Sequence, residues 1–265
     1  MVKTISSLQN PFIKQLIQLK EKSKLRKKTS LFVIEGKREL SLAIKGDYTI
    51  ETLYYYADLF SASEAASLEI YGIDIIEITK AVYEKVAHRE TTEGVIAVAK
   101  AKEFDLNTLE FKCKNPLILV AEAPEKPGNI GALLRTADAA NVDAIIISNP
   151  LTDLYNPNII RSSVGGVFTV PIVMGASEDV IAYLKKHNIS IYAATLQNSV
   201  EYDSVDYKKA TAFVVGAEST GLSSLWREAA TAKIRIPMQG KIDSMNVSVA
   251  AGILVFEAKR QRKIS

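Results

Sequence analysis

The sequence runs Ile236-Pro237-Met238-Gln239-Gly240 and then Asp243-Ser244-Met245-Asn246 before it enters an apolar stretch, 247–256. This order predicts a strand, a tight polar loop and a helix. The segments 122–135 and 215–222 have the same pattern, in which a strand is followed by a short loop and a helix. Because the carboxyl ends of parallel strands meet at one edge of a sheet, all three loops can converge there. The pattern therefore predicts a ligand site at that edge.

Apolar segments upstream predict the sheet to which these loops belong. The run 117–120 is continuously apolar, which is typical of a strand covered on both faces. The further predicted strands are 144–147, 191–194, 213–215 and 234–236. We expect an α/β fold, with a three-layer sandwich and a mostly parallel sheet over 116–265. A smaller alternating α/β domain is expected over 1–102, joined by a polar linker, 103–115.

Composition excludes several classes of protein. Of the 265 residues 48% are hydrophobic and 24% are charged, which is the balance of a globular protein and not of a disordered one. The single cysteine, Cys113, excludes an internal disulfide, and the acidic residues show no metal-ligand spacing, so no metal is expected. No secretory signal and no apolar run of ~20 residues is visible in the sequence. Export and membrane insertion are therefore disfavoured, and a cytoplasmic location is expected.

Basic residues crowd the first segment, although the formal net charge is only +3. Glu21 is the one acid among Lys14, Lys20, Lys22, Lys24, Arg26, Lys27 and Lys28. A basic face of this kind attracts polyanions and makes association depend on salt. A solvated lysine-rich helix explains this run equally well.

The glycine-rich segment 216–221 argues against a nucleotide cofactor. Gly216 and Gly221 flank Glu218, which stands where a dinucleotide motif needs its middle glycine for close approach to pyrophosphate. A carboxylate there repels phosphate, so a positively charged ligand without phosphate fits better. A second interpretation, in which Glu218 only caps the following helix, is about as good from this segment alone.

Two arginines can face the predicted cleft. In 127–137 the apolar residues form a buried stripe, and Arg135 lies off its centre near the loop end of the helix. An exposed ion pair with Asp138 is the alternative, and a contact to phosphate or ribose is the functional interpretation. Arg161 adds a second cation beside small residues, and this signal is weak by itself.

The stretch 247–256 is apolar nearly all the way round, whereas a surface helix is polar on one side. Such a helix needs cover on two sides, and ten residues cannot span a bilayer. We therefore expect a symmetric homodimer built around this helix.

Three ordered motifs give the chain a close resemblance to the SpoU-type RNA 2′-O-ribose methyltransferases, a branch of the SPOUT superfamily. They are Asn129-x-Gly131-x-x-x-Arg135-Thr136-Ala137, Gly216-x-Glu218-x-x-Gly221-Leu222, and Ile236-Pro237-Met238 through Ser244-Met245-Asn246-Val247-Ser248-Val249-Ala250. The beginning of the chain resembles the ribosomal-protein-like RNA-binding domain that precedes the catalytic domain in many members, and the likeness covers essentially the whole chain.

The resemblance implies a deep trefoil knot, a homodimer and a site for S-adenosylmethionine. Expected cofactor contacts are Thr195, Leu196, Gly216, Ile236, Met238, Met245 and Asn246. Arg135 is expected to activate the ribose hydroxyl, by electrostatic stabilisation and not as a literal base. The residues expected to order the site are Asn129, Glu218, Ser244 and Asn246. The expected RNA contacts are Lys14, Lys20, Lys24, Arg26, Lys27, Lys28 and Arg161.

The substrate class follows from the same resemblance. Ribosomal RNA, most simply 23S, is favoured, because the N-terminal domain resembles those of ribosomal members. Transfer RNA, a resistance enzyme acting on ribosomal RNA, and a non-catalytic RNA-binding or assembly factor are the alternatives. Met245, where leucine is usual, and the segment 123–126 depart from the family pattern. The first change is expected to be tolerated, and the second leaves the contacts beside Arg135 open.

Overall fold

A computed structural model describes residues 3–87 and 93–263 and divides the chain into two compact units. Unit 1 comprises Met1–Glu103 and Asp153–Thr169, and unit 2 comprises Phe104–Thr152 and Val170–Ser265. The chain therefore enters unit 2, returns to unit 1 for one short segment, and re-enters unit 2.

The strands are β1 (Lys3–Ile5), β2 (Leu31–Glu35), β3 (Ile50–Tyr55), β4 (Asp74–Ile78), β5 (Val95–Lys100), β6 (Leu117–Glu122), β7 (Ala144–Ser148), β8 (Ile172–Gly175), β9 (Ser190–Ala194), β10 (Val200–Glu201), β11 (Thr211–Val215) and β12 (Ala232–Arg235). The helices are α1 (Pro11–Glu21), α2 (Ser23–Thr29), α3 (Lys37–Lys45), α4 (Ala62–Ala66), α5 (Lys80–Val86), α6 (Pro127–Ala139), α7 (Pro157–Ser162), α8 (Ser177–Lys186), α9 (Ser224–Ala229) and α10 (Val247–Lys263). Short 3₁₀ turns occur at Glu69–Tyr71, Leu106–Thr108, Gly166–Phe168 and Tyr202–Ser204.

Unit 1 is built on a five-stranded sheet in the order β1-β4-β3-β5-β2. β4 pairs in parallel with β1 and β3, whereas β5 is antiparallel to β3 and β2. Apolar residues of α1 and α5 pack with Val33 of β2 in one core. Phe32, the preceding residue of β2, stacks on Tyr155 with ring centroids 4.1 Å apart. Because successive strand residues point to opposite faces, the segment Asp153–Thr169 covers the second face of this sheet.

Helix α1 begins where the sequence predicts. Asn10 accepts the backbone N–H of Phe12 at 2.9 Å, and Pro11 occupies the first helical position. The helix ends at Glu21 because Lys22 is extended, with φ −112° and ψ 104°, and the rest of the basic run forms the separate helix α2.

Unit 2 contains a seven-stranded sheet in the order β10-β12-β9-β11-β6-β7-β8, and all its pairings are parallel. Every residue of β6, β7 and β11 is buried. Apolar residues of α8 and Trp226 of α9 pack in the core cluster of the sheet, and α10 packs against α6, β11 and β6. This confirms the predicted three-layer sandwich with a parallel sheet. The trefoil knot stays a prediction.

Several elements differ from expectation. β8 and β10, of four and two residues, extend the two edges of the sheet and were not predicted. The predicted linker 103–115 packs on unit 2, since Leu106 and Leu109 are each 7% exposed and belong to its core cluster. The carbonyl of Phe104 accepts the N–H of Met174 of β8 at 2.7 Å. Within 3–87 and 93–263 we find no helix with both the length and the apolarity that a membrane span requires.

Candidate active site

Three loops meet at the carboxyl edge of the parallel sheet of unit 2, as the sequence motifs predict. Asn246, from the third motif, donates its side-chain N–H to Oδ1 of Asn129 at 3.1 Å. Asn129, from the first motif, donates in turn to Oε1 of Glu218 in the second motif. Residues 117 and 89 positions apart in the chain thus form one relay of hydrogen bonds.

Glu218 ends this relay as a carboxylate. Its Oε2 lies 2.5 Å from Nζ of Lys126, and its side chain keeps 20% of its surface accessible. The hydrogen bond from Lys126 is the largest cause that lowers the pKa of Glu218 below its ordinary value. Burial opposes this, and the hydrogen bond from Asn129 adds a smaller lowering. Glu218 therefore joins two loops, which decides against the interpretation in which it only caps the following helix.

The loop that carries Glu218 is closed tightly by its glycines. The N–H of Gly221 donates to the carbonyl of Ala217 at 2.9 Å. A methyl group added at Gly216 would lie 2.2 Å from the carbonyl carbon of Gly221, far inside van der Waals contact. Glycine is thus required at 216 because two backbone segments touch there.

A cavity of 160 Å³ lies beside the loops, at the ends of β9 and β12. Its walls include five of the predicted cofactor residues, Thr195, Leu196, Ile236, Met238 and Met245, together with the predicted site residue Ser244. Gly216 and Asn246, also predicted as cofactor contacts, are not among its lining residues. A more open groove of 440 Å³ shares part of this wall and adds charged residues, among them Glu201 and Lys241.

Arg135 projects from the exposed side of α6. Ile130, Leu133, Leu134 and Ala137 of the same helix are buried, whereas Arg135 is exposed. In the described part of the chain Arg135 makes no ion pair, with Asp138 or with any other residue. Its guanidinium is therefore available to a ligand.

The predicted RNA contacts separate into groups. Lys14, Lys24, Lys27, Lys28 and Arg161 are exposed. Lys20 is paired with Glu35 at 2.8 Å and keeps 15% of its side-chain surface.

The structure buries Arg26, which was predicted to contact RNA. Arg26 is 5% exposed, its Nε lies 2.5 Å from Oδ2 of Asp153, and its Nη1 donates to the carbonyls of Leu19 and Lys20 at 2.6 and 3.1 Å. A guanidinium enclosed in this way holds the end of α1 to the segment Asp153–Thr169, and it is not available to a polyanion.

Two residues of the site were missed by the sequence analysis, Lys126 and Glu122. Glu122, at the end of β6, is 6% exposed. Its Oε2 accepts the N–H of Ser223 at 2.8 Å, directly after the glycine loop, and Oε1 lies 3.5 Å from the hydroxyl of Ser177. Neither residue belongs to a spacing pattern, because both act on partners about a hundred positions away.

The next residue, Ala123, has a positive φ of 44°, a left-handed conformation that alanine rarely adopts. It starts the segment 123–126, whose departure from the family pattern was noted above. That segment places Lys126 against Glu218. No group of three or more His, Cys, Asp or Glu side chains suited to a metal occurs among residues 3–87 and 93–263.

Residues 116–256 match the SpoU rRNA Methylase family, and residues 10–97 match the MRM3-like substrate binding domain. The chain therefore belongs to the SpoU rRNA methylase family, which confirms the resemblance drawn from the motifs. It is 29% identical over 258 residues to the 23S rRNA (guanosine(2553)-2′-O)-methyltransferase RlmP of Bacillus subtilis (strain 168), covering 97% of this chain and 100% of that protein.

Other relatives agree with this assignment. The chain is 28% identical over 245 residues to the 23S rRNA (uridine(2479)-2′-O)-methyltransferase of Streptomyces viridochromogenes, covering 89% of this chain and 85% of that protein. The crystal structure of an AdoMet bound rRNA methyltransferase from Sinorhizobium meliloti matches with a TM-score of 0.90 and 30% identity over 98% of both chains.

Proposed function

We propose that the protein is an S-adenosylmethionine-dependent methyltransferase that modifies a ribose 2′-hydroxyl in 23S ribosomal RNA. The observation that carries this proposal is the relay from Asn246 through Asn129 to Glu218, which joins the three family motifs beside a cavity. The relatives named above act on 23S rRNA, and this favours ribosomal over transfer RNA as the substrate.

The cavity suits the cofactor on chemical grounds. Ile236, Met238, Met245 and Leu254 give it an apolar wall that can hold an adenine ring and a thioether-like chain. Asp243 borders both the cavity and the open groove, and its carboxylate can face a cationic group. When bound, S-adenosylmethionine supplies an electrophilic methyl group on a positively charged sulfur.

The chain itself must align and activate the hydroxyl. A ribose 2′-hydroxyl is a weak acid, so the site must favour the negative charge that develops on its oxygen. Arg135 is an exposed cation, without an ion pair among residues 3–87 and 93–263, on α6, the helix that also carries Asn129. We assign Arg135 the electrostatic stabilisation of that oxygen. Asn129, Glu218 and Asn246 hold the loops in register, and Ser244 offers a hydroxyl at the cavity wall.

Unit 1 is assigned the binding of RNA. Its residues 10–97 match a substrate binding domain, and Lys14, Lys24, Lys27 and Lys28 are exposed cations on α1 and α2. Such cations bind phosphates without reading sequence. A cytoplasmic location accords with a ribosomal substrate and stays a prediction.

A homodimer through α10 is part of the proposal. Ala251, Leu254, Val255 and Ala258 bury one stripe of this helix within the chain. Val249 and Phe256, seven positions apart, remain 54% and 51% exposed. Large apolar side chains on one exposed face favour a protein interface. Sedimentation at micromolar concentration should show a dimer and Phe256→Glu should shift it to monomer, whereas a monomeric wild type contradicts this assignment.

The catalytic assignment is tested with purified protein, labelled S-adenosylmethionine and ribosomal RNA from a strain that lacks the gene. Wild type should add a 2′-O-methyl mark that is present in the parent strain. Arg135→Ala should lose methyl transfer at least a hundredfold, while cofactor affinity measured by calorimetry stays within about twofold. Arg227→Ala, which removes an arginine of α9, is the matched control and should behave as wild type. Near-normal turnover by Arg135→Ala refutes its role, and absent cofactor binding by wild type points to a non-catalytic factor.

A further inference from the structure

Unit 1 contains a groove of 350 Å³ that no motif indicates. Three segments distant in sequence form it: the second half of α1, the end of α5, and the beginning of the segment that contains α7. They contribute Lys20, Lys85 and Arg161 among other residues. The volume is that of a small-ligand site, and the cations come from separate elements, so a linear basic run could not reveal it.

The three cations of the groove differ in whether they can bind a ligand. Lys20 is paired with Glu35 and also donates to the carbonyl of Val86. Its side chain is therefore held in place and forms part of the groove wall. Lys85 and Arg161 are exposed and make no ion pair within residues 3–87 and 93–263. Among the described residues that line the groove, Glu21 is the one carboxylate, so two available cations stand against one anion there.

The groove is also partly preorganised. Arg161 donates to the side-chain oxygen of Asn158, one turn earlier on α7, and this contact holds the guanidinium beside the groove. Ile17, Val86 and Pro157 add apolar surface to the lining. Cations beside an apolar surface are what an unstacked nucleotide requires, because its phosphate needs charge and its base needs an apolar face.

We propose that this groove binds one splayed nucleotide of the substrate RNA, with a phosphate at Lys85 and Arg161 and the base against Ile17 and Pro157. The proposal rests on the proposed function in taking the RNA to be the substrate of this enzyme. It adds a site in unit 1 that is assembled from three segments, distinct from the lysines of α2.

The test is the double variant Lys85→Gln/Arg161→Gln in the full-length chain. Arg38→Gln/Lys45→Gln removes two exposed cations from α3 of the same unit and is the control with matched charge. Affinity for a 23S ribosomal RNA fragment is measured by fluorescence anisotropy from 50 to 300 mM salt. The groove variant should bind at least tenfold more weakly, and the control within about twofold of wild type. The slope of log affinity against log salt should fall by about 0.7, because the pair holds one phosphate and each single-strand phosphate contact contributes about 0.7.

Further readouts separate this proposal from a folding defect and from the proposed function. Cofactor affinity and melting temperature should match wild type, and the KM for RNA should rise about tenfold with little change in kcat. Equal RNA affinity and salt slope for the groove and control variants overturn the proposal. If wild type transfers no methyl group but the groove variant still loses RNA binding, the proposed function fails and the groove assignment stands.

Discussion

The buried pair between Arg26 and Asp153 gives a sharp prediction, because the basic run suggests an RNA contact whereas Arg26 forms an ion pair inside unit 1. The two side chains are 5% and 10% exposed and approach to 2.5 Å. The guanidinium also binds the carbonyls of Leu19 and Lys20 in the last turn of α1, where a cation is favoured by the helix dipole. Asp153 uses its other oxygen to accept the N–H of Tyr155.

Removal of one partner from a buried pair leaves an uncompensated charge and costs about 3–5 kcal/mol. Asp153→Asn keeps an oxygen for Tyr155 and Arg26 keeps its two carbonyls, so we expect the low end, about 3 kcal/mol. Arg26→Met leaves the carboxylate of Asp153, which is 10% exposed, without its counter-ion and leaves two carbonyls without their donor. We expect the free energy of unfolding to fall by about 3–5 kcal/mol. The double variant should cost less than the sum of the single changes, because the second removes the charge that the first left buried.

Urea unfolding followed by circular dichroism gives these free energies, and amide exchange read by mass spectrometry should locate the loss to α1, α2 and the segment Asp153–Thr169. RNA affinity measured below the unfolding range should stay within about twofold of wild type. Lys27→Met, an exposed cation of the same helix, should instead weaken RNA binding without loss of stability. An Arg26→Met protein with wild-type stability and weakened RNA binding would refute the reasoning.

Three further changes test the site in unit 2. Gly216→Ala should reduce methyl transfer at least tenfold, since its methyl group would lie 2.2 Å from the backbone of Gly221, whereas Gly128→Ala, where nothing lies within 4 Å, should remain active in the same assay. Glu122→Leu leaves the N–H of Ser223 unsatisfied and should raise the KM for cofactor about tenfold; Glu122→Gln, which keeps an acceptor, should restore it, and Ser148→Ala, in the same buried network, serves as control. Failure of the glutamine variant to restore the KM would count against a positioning role. Lys126→Met removes the first cause of the lowered pKa of Glu218, so a carbon-detected NMR titration should show that pKa rise towards its ordinary value. A lowered folded-state pKa of Glu218 contributes stability that is present above the unfolded pKa and is lost as pH falls through the folded pKa. The variant should therefore lose stability at neutral pH, and only a little because Lys126 is 70% exposed. An unchanged Glu218 titration would mean that the ion pair does not form in solution.

The sheet of unit 2 was readable from sequence because its central strands are buried on both faces. β6, β7 and β11 therefore appear as continuous apolar runs. β8 and β10 lie at the two edges and have only four and two residues, so the apolar part of each is at most three residues long. Short edge strands are defined by the neighbour that they pair with, and that neighbour is not visible in a local pattern.

Local sequence patterns also did not predict that the segment Asp153–Thr169 returns to unit 1. The sequence places 153–169 inside the catalytic domain, yet Tyr155 stacks on Phe32 and Phe168 lies with its ring centroid 6.0 Å from that of Phe32. These partners are more than a hundred positions away. The same distance hides the role of Arg26, whose counter-ion lies 127 residues later in the chain. Exposure and pairing of a cation are tertiary properties, so a basic run predicts charge but not which of its members is free.

The sequence predicted which loops form the candidate site, because the motifs mark positions in those loops. It did not predict the hydrogen bonds between the loops, because the direction of each bond depends on all the loops together. Oδ1 of Asn246 accepts the N–H and the hydroxyl of Ser248 and so caps α10, which leaves the amide nitrogen of Asn246 to donate. It donates to Oδ1 of Asn129, so the amide nitrogen of Asn129 must face Glu218. Since Glu218 then receives donors from both Asn129 and Lys126, it is held as a carboxylate, in agreement with its lowered pKa. The start of α10 therefore fixes the orientation of the Asn129 amide that donates to Glu218 in another motif, and a substitution that reverses either amide leaves two acceptors facing each other.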